Sequence, residues 1–167
     1  MLRRTVGAKG VRMRLRIAFL SLILAATAVP AIAAGGPPVA VMSTVNGLVS
    51  ATSSDNAARV SSYFAPDATV VDEIPPYIWT GSAAGARWWN AVGAASAQQH
   101  YTNMRVTLGP IKFWSVTGNS AWVVAPLTIS FAKNGRVTRE TGLWVLTLVR
   151  RVSWLVSSAS WATSSRT

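Results

Sequence analysis

Two hydrophobic periods follow one another along the chain. From Val39 the apolar residues Met42, Val45, Leu48 and Val49 recur at helical spacing, which predicts a first helix with one buried face. Ser53-Ser54-Asp55 interrupts it and offers an N-cap to a second short helix, in which Ala57, Val60 and Phe64 repeat at three and four. Pro66-Asp67 is expected to end that helix, because proline lacks the amide hydrogen a helix needs. The β-branched run Ala68 to Asp72 predicts a short strand, and Pro75-Pro76 an irregular aromatic loop. Gly81-Ser82 opens a third helix with Ser82 as its N-cap and Ala84, Trp88, Val92 and Ala95 on one face.

After His100 the period becomes two. Met104, Val106 and Leu108 alternate with polar residues, Gly109-Pro110 marks a bend or an edge, and Ile111 to Val116 resumes the strand. Thr117 to Ser120 is a turn, and Ala121 to Lys133 is a long strand. Asn134-Gly135 is a two-residue hairpin signal, so Arg136 to Val149 returns antiparallel. A last strand runs from Trp154 to Trp161, and residues 163–167 read as a frayed tail. Helices followed by a meander of strands predict an α+β domain, with helices on one face of a curved sheet.

The hairpin also fixes a register. If Asn134-Gly135 is the turn, opposed residue numbers sum to 269. Leu127, Ile129 and Phe131 then share a face with Thr138, Glu140, Gly142, Trp144 and Leu146. Trp122, Val124 and Pro126 share the other with Arg139, Leu143, Val145 and Val149. Both faces are apolar. One packs on the helices, and the other predicts a homodimer formed sheet to sheet.

Composition changes this picture at the N-terminus. The chain has 167 residues, 50% of them hydrophobic, and a formal net charge of +11. Six of the sixteen basic residues, Arg3, Arg4, Lys9, Arg12, Arg14 and Arg16, fall in the first sixteen positions. Without residues 1–33, ten basic residues face five acids, a net of +5, and no basic run exceeds Arg150-Arg151. A nucleic-acid partner is therefore not expected. The basic segment, the apolar run from Ile17 to Ala26 and the small residues Ala31-Ile32-Ala33 form the pattern of a cleaved signal peptide over residues 1–33. The longer apolar run from Ile17 to Ala34, read as an uncleaved anchor, is the competing possibility, disfavoured by Pro30 and the Ala-x-Ala site within it. Residues 34–38 then form a linker and 39–162 the domain, periplasmic or secreted and without a membrane segment after cleavage. There is no cysteine, and hence no disulfide, thiolate nucleophile or cysteine metal site.

The order of elements, the run Phe64-Ala65-Pro66-Asp67-Ala68-Thr69-Val70-Val71-Asp72, Gly81 and the later Gly142, Trp154 and Trp161 resemble the nuclear-transport-factor-2-like superfamily, which includes ketosteroid isomerase and the SnoaL-like cyclases. The resemblance covers about residues 39–162 and implies a cone-like curved antiparallel sheet wrapped over the N-terminal helices, enclosing an apolar pocket. Over residues 48–89 it aligns with ketosteroid isomerase without a gap. Asp72 then falls on the general base, and Phe64, Trp88 and Trp89 on aromatic pocket positions. Leu48 and Trp144 stand where that enzyme has its two oxyanion-hole donors, so steroid isomerisation is not expected.

Asp72 is the leading candidate for chemistry: a carboxylate beside Trp79, Trp88 or Trp89 is desolvated, which makes it a stronger base. Its plain alternative is a loop cap. Glu140, on the apolar inner face, is either its proton partner or one half of an ion pair with Arg87 or Arg105. His100, the only histidine, is a third candidate, although a lone histidine is more often structural. Tyr77 and Trp79 are expected to cover or fill the pocket mouth, and Trp88, Trp89, Trp144 and Trp161 to wall it. No Gly-x-Ser-x-Gly elbow, metal-ligand cluster or phosphate loop occurs, so neither a metal nor a cofactor is expected. Three readings stand: a pocket that binds a small hydrophobic ligand; a cofactor-independent isomerase, cyclase or dehydratase with Asp72 as its base; or, third in order, a structural dimer module whose cavity is filled.

Overall fold

The computed structural model describes residues 35–54 and 56–167. The expected signal peptide and Asp55 lie outside the described residues. Helix α1 (Val39–Thr52) buries Val41, Thr44, Val45, Leu48, Ala51 and Thr52, the expected three-and-four spacing. Helix α2 (Ala57–Ser61) is capped by Asn56, whose Oδ1 accepts the Arg59 amide at 2.9 Å. The expected cap at Ser53 to Asp55 is not used. The Ser54 and Ser53 hydroxyls instead bond back to the Ala51 and Val49 carbonyls, closing the end of α1.

Strand β1 (Phe64–Val71) starts earlier than expected, and Phe64 belongs to it rather than to α2. Pro66 lies within the strand instead of ending a helix. The pairing shifts register between Phe64 and Thr69, and Pro66 and Asp67 are exposed in that irregular stretch. There the missing proline amide removes no ladder bond. The aromatic loop hides a three-residue strand, β2 (Ile78–Thr80), antiparallel to β1. Helix α3 (Ala84–Gln98) is not capped by Ser82. Its N-cap is Ala83 in the left-handed region at φ 59°, with no side-chain cap, and the Ala84 amide bonds to the Gly81 carbonyl at 3.1 Å.

The remaining strands are β3 (Thr102–Leu108), β4 (Phe113–Thr117), β5 (Ser120–Lys133), β6 (Arg136–Arg150) and β7 (Trp154–Arg166). They form one seven-stranded sheet ordered β2-β1-β7-β6-β5-β3, with β4 also on β5. β3 and β4 lie along successive parts of β5, with Leu108 opposite Leu127 and Phe113 opposite Val124, so Gly109-Pro110 is the expected break in one edge. Every neighbouring pair is antiparallel except β1 and β7. The sheet is curved and unclosed, with the helices on its inner face, as expected.

The hairpin register holds from Lys133 opposite Arg136 to Ser120 opposite Val149. Asn134 and Gly135 both have positive φ, 50° and 75°, as a tight turn of the primed type requires. Ala121, Val123, Ala125 and Leu127 join Trp144, Leu146 and Leu148 on the buried face, over Val41, Val45 and Leu48 of α1. Phe113, Trp122, Leu143 and Val145 are exposed on the other. The last strand does not end at Trp161. It runs to Arg166, so most of the expected tail is sheet, and Arg139 and Thr167 exchange two backbone hydrogen bonds of 2.7 and 2.9 Å.

Candidate functional site

At the hairpin end of β5 and β6, the inner face of the sheet and α3 leave a cavity of about 280 Å³. Trp88, Trp89, Val92 and Ala95 of α3 form one wall. Met104 and Val106 of β3, Leu127, Ile129 and Phe131 of β5, Trp144 of β6 and Trp161 of β7 form the others. The tryptophans line this space and do not fill it. Its polar groups are few: Thr52, Asp72, Glu73, Ser96, Gln99, Tyr101, Glu140 and Arg166.

Asp72 is the first residue beyond β1. Its amide bonds to the Tyr77 carbonyl at 3.0 Å and the Tyr77 amide to the Ile74 carbonyl at 2.7 Å, so a closed loop holds it at the strand end. Pro75-Pro76, joined by a cis bond, lies within that loop. The indole Nε1 of Trp88 donates to Asp72 Oδ2 at 2.8 Å. Burial raises the pKa of Asp72 above the ordinary carboxyl value. The Trp88 hydrogen bond and the Glu73 and Ile74 amides act against that rise, and the Glu73 charge adds to it. Neither ion pair among the described residues involves Asp72.

Glu140 is buried, faces the same cavity and pairs with Arg166. The arginines expected from sequence were Arg87 and Arg105. Arg166 takes their place because β7 continues past Trp161 and brings it into register opposite Glu140. Truncation at this pair is expected to be asymmetric. Arg166→Ala leaves a buried carboxylate unpaired, but Arg166 itself is 58% exposed and partly screened. A loss of about 1–2 kcal/mol in denaturant unfolding at pH 7 is expected, below the cost of breaking a fully buried pair. No change in unfolding midpoint would mean that the pair contributes nothing.

The site gathers six of the ten residues expected from sequence: Asp72, Glu140, Trp88, Trp89, Trp144 and Trp161. The other four lie elsewhere. His100 is exposed at the end of α3 with φ 56°, its amide bonded to the Ala97 carbonyl and the next amide, of Tyr101, to Ser96. It closes the helix and does not line the cavity. Phe64 is buried behind the wall, edge to face with Trp88 at 6.2 Å between centroids. Trp79 is buried on β2, and Tyr77 is 55% exposed, and neither lines the cavity. Leu48 is fully buried in the core, and α1 reaches the cavity through Thr52 instead.

Sequence reasoning passed over Glu73, Ile74, Tyr101 and Arg166. Glu73 accepts the Thr163 amide at 2.7 Å and so ties the Asp72 loop to β7. Tyr101 stacks on Phe131 at 4.1 Å, and Lys133 lies 5.2 Å from the Tyr101 ring centre. Leu127, Ile129 and Phe131, which also line the cavity, did have a usable signal, since the hairpin register puts them on the inner face with Glu140.

Residues 41–153 match the model of the SnoaL-like domain, and the chain belongs to that family. Its fold is that of the nuclear-transport-factor-2-like superfamily. An NTF2-like protein with a cystatin-like fold from Novosphingobium aromaticivorans matches with a TM-score of 0.64 at 16% identity, over 75% of this chain and 80% of that one. A hexachlorocyclohexane dehydrochlorinase of type 2 matches at 0.60 and 12%, over 77% and 85%. A ketosteroid isomerase-like protein from Erwinia carotovora atroseptica matches at 0.59 and 13%, over 75% and 95%. At such identities the likeness shows the fold. No curated protein matches the sequence.

Proposed function

We propose that this SnoaL-like domain binds a small, largely apolar ligand in the cavity between α3 and the inner face of the sheet. The observation that carries the reading is an open space of about 280 Å³ walled by four tryptophans, with few polar groups to orient what enters. Indole, followed by ligand-observed NMR, is a suitable neutral probe. Binding to one site per chain is expected, and Ala95→Trp, which fills the cavity from α3, should abolish it. Undiminished indole binding by Ala95→Trp would sink the reading.

A second reading, proton transfer, is favoured by one observation. Asp72 faces the cavity with a raised pKa and a fixed orientation, as a general base requires. Glu140 lines the same space but is engaged by Arg166, and His100 lies outside it, so the proton-returning partner would be a ligand atom or water. The state of Asp72 has a measurable consequence. Its pKa is higher in the folded chain than in the unfolded one. Its contribution to stability is therefore complete below the unfolded value and is lost as pH rises through the folded value. Asp72→Asn cannot ionise and still accepts from Trp88. It should melt roughly 2–5 °C above the parent at pH 7, with the gap closing in acid. A lower melting temperature at pH 7 would contradict this account.

Export and assembly are parts of the same proposal. Cleavage after Ala33 would give a mature chain beginning at Ala34, which N-terminal sequencing of the cell-envelope fraction would test. The exposed Phe113, Trp122, Leu143 and Val145 suit a homodimer through the outer sheet face, and a strict monomer in light scattering would remove it.

A further inference from the structure

The chain has five acidic residues against sixteen basic ones, and three of the five, Asp72, Glu73 and Glu140, line this one cavity. Among the described residues, the only basic side chain lining it is Arg166, already held by Glu140. Asp72 and Glu73 are thus left without a salt-bridge partner among the described residues. In a protein with a large excess of cations, the cavity wall carries a surplus of negative charge.

The rest of the wall has the same electrostatic sense. The face of an indole ring is the negative part of its quadrupole, so tryptophan attracts cations as well as apolar groups. Trp88 and Trp89 meet at 5.5 Å between centroids with planes inclined by 62°, and Trp144 and Trp161 stand opposite each other in the β6–β7 register. Lys133 lies against the ring of Tyr101 but is not itself a lining residue.

We propose that the cavity takes a small organic cation, an arylalkyl- or alkylammonium ion, with its charge against Asp72 and its apolar body among Trp88, Trp89, Trp144 and Trp161. The proposal rests on the ligand-binding reading above and narrows its ligand to a charge class. A neutral ligand would bury Asp72 further with only the Trp88 donor and nearby amides to stabilise its charge. An anion would meet like charge from Asp72 and Glu73. A bare metal ion finds no group of three His, Cys, Asp or Glu among the described residues to hold it. At roughly 30 Å³ per water-sized group the space of 280 Å³ holds about nine such groups, the size of 2-phenylethylammonium.

The test is a titration of the full chain at pH 7 and low salt with three probes of nearly one shape: 2-phenylethylammonium, 2-phenylethanol and phenylacetate. Calorimetry and tryptophan fluorescence both read it. The ammonium is expected to bind at least about tenfold more tightly than the alcohol, and phenylacetate most weakly. Raising the salt should weaken the ammonium and spare the alcohol. Asp72→Asn should bring the ammonium to the level of the alcohol. Glu73→Gln, at an exposed position, should reduce the preference about two- to threefold and serves as the second variant if Asp72→Asn does not fold. Equal binding of alcohol and ammonium, or a preference that survives Asp72→Asn, would overturn the cation inference and leave the ligand-binding reading standing. Failure of all three probes to bind would overturn both.

Discussion

Gly142→Ala is expected to lose about 3 kcal/mol or more of stability, a fall of roughly 10 °C in Tm. The loss has a geometric cause. A Cβ at Gly142 would lie 2.1 Å from the carbonyl oxygen of Ala162 and 2.8 Å from Cη2 of Trp161. The nearer obstacle is backbone, so no side-chain rotation relieves it and β7 itself must move. The β6–β7 register already shifts between Thr141 and Gly142, where the two strands come too close for any side chain. Gly142 sits between Glu140 and Trp144 on the inner face. A displaced β7 would therefore carry Trp161 and Arg166 away from the cavity, and indole binding should fall with stability. Thermal melts of the variant provide the check. A Tm within a degree or two of the parent would show that β7 yields there without cost.

Trp88→Ala is expected to lose about 3–5 kcal/mol, because it empties a buried indole site. It should also remove three functions at once. Trp88 is a cavity wall, the partner of Phe64 and Trp89, and the donor that fixes Asp72. Trp88→Phe separates them. It keeps most of the packing and loses the donor, so its stability loss should be smaller. Since that hydrogen bond lowers the Asp72 pKa, its loss should let the pKa rise further. Carbon-detected NMR titration of the Asp72 carboxyl in the two proteins measures this directly. An unchanged or lower pKa in Trp88→Phe would remove Trp88 from the control of Asp72.

The parts of the fold legible in the sequence were those with strong local signals. Asn134-Gly135 set the register of β5 and β6, and through it the common face of Glu140, Ile129 and Trp144. The spacing of Val45 and Leu48 gave the buried side of α1. The signals that misled were also local, but they competed with tertiary structure. Phe64 continued a helical repeat and Pro66 suggested a helix end, yet pairing with β7 drew both into β1, where an irregular register tolerates the proline. Ser82 resembled a cap, yet the chain enters α3 through left-handed Ala83. The Glu140 partner was hidden for a different reason. Polar Ser157, Ser158 and Ser160 and the serines after Trp161 weaken the strand pattern, so nothing local showed that β7 reaches Arg166. Asp72, Trp88 and Trp89 were found through the resemblance over residues 48–89 and Trp144 through the hairpin register, whereas Tyr101 and Glu73 depend on distant strands for their place.

β7 follows every other described element in the chain, yet it lies between β1 and β6 and is the only strand that joins them. Until it is in place, β1 and β2 have no sheet to pair with, and β3 to β6 form a separate piece. The pairing of Phe64 with Val156 closes a loop of more than ninety residues, so the decisive contacts are among the most distant in sequence. Such long-range pairing carries a large loop-closure cost and goes with slow folding in general. During synthesis the cavity has no complete wall until Trp161 and Arg166 have emerged.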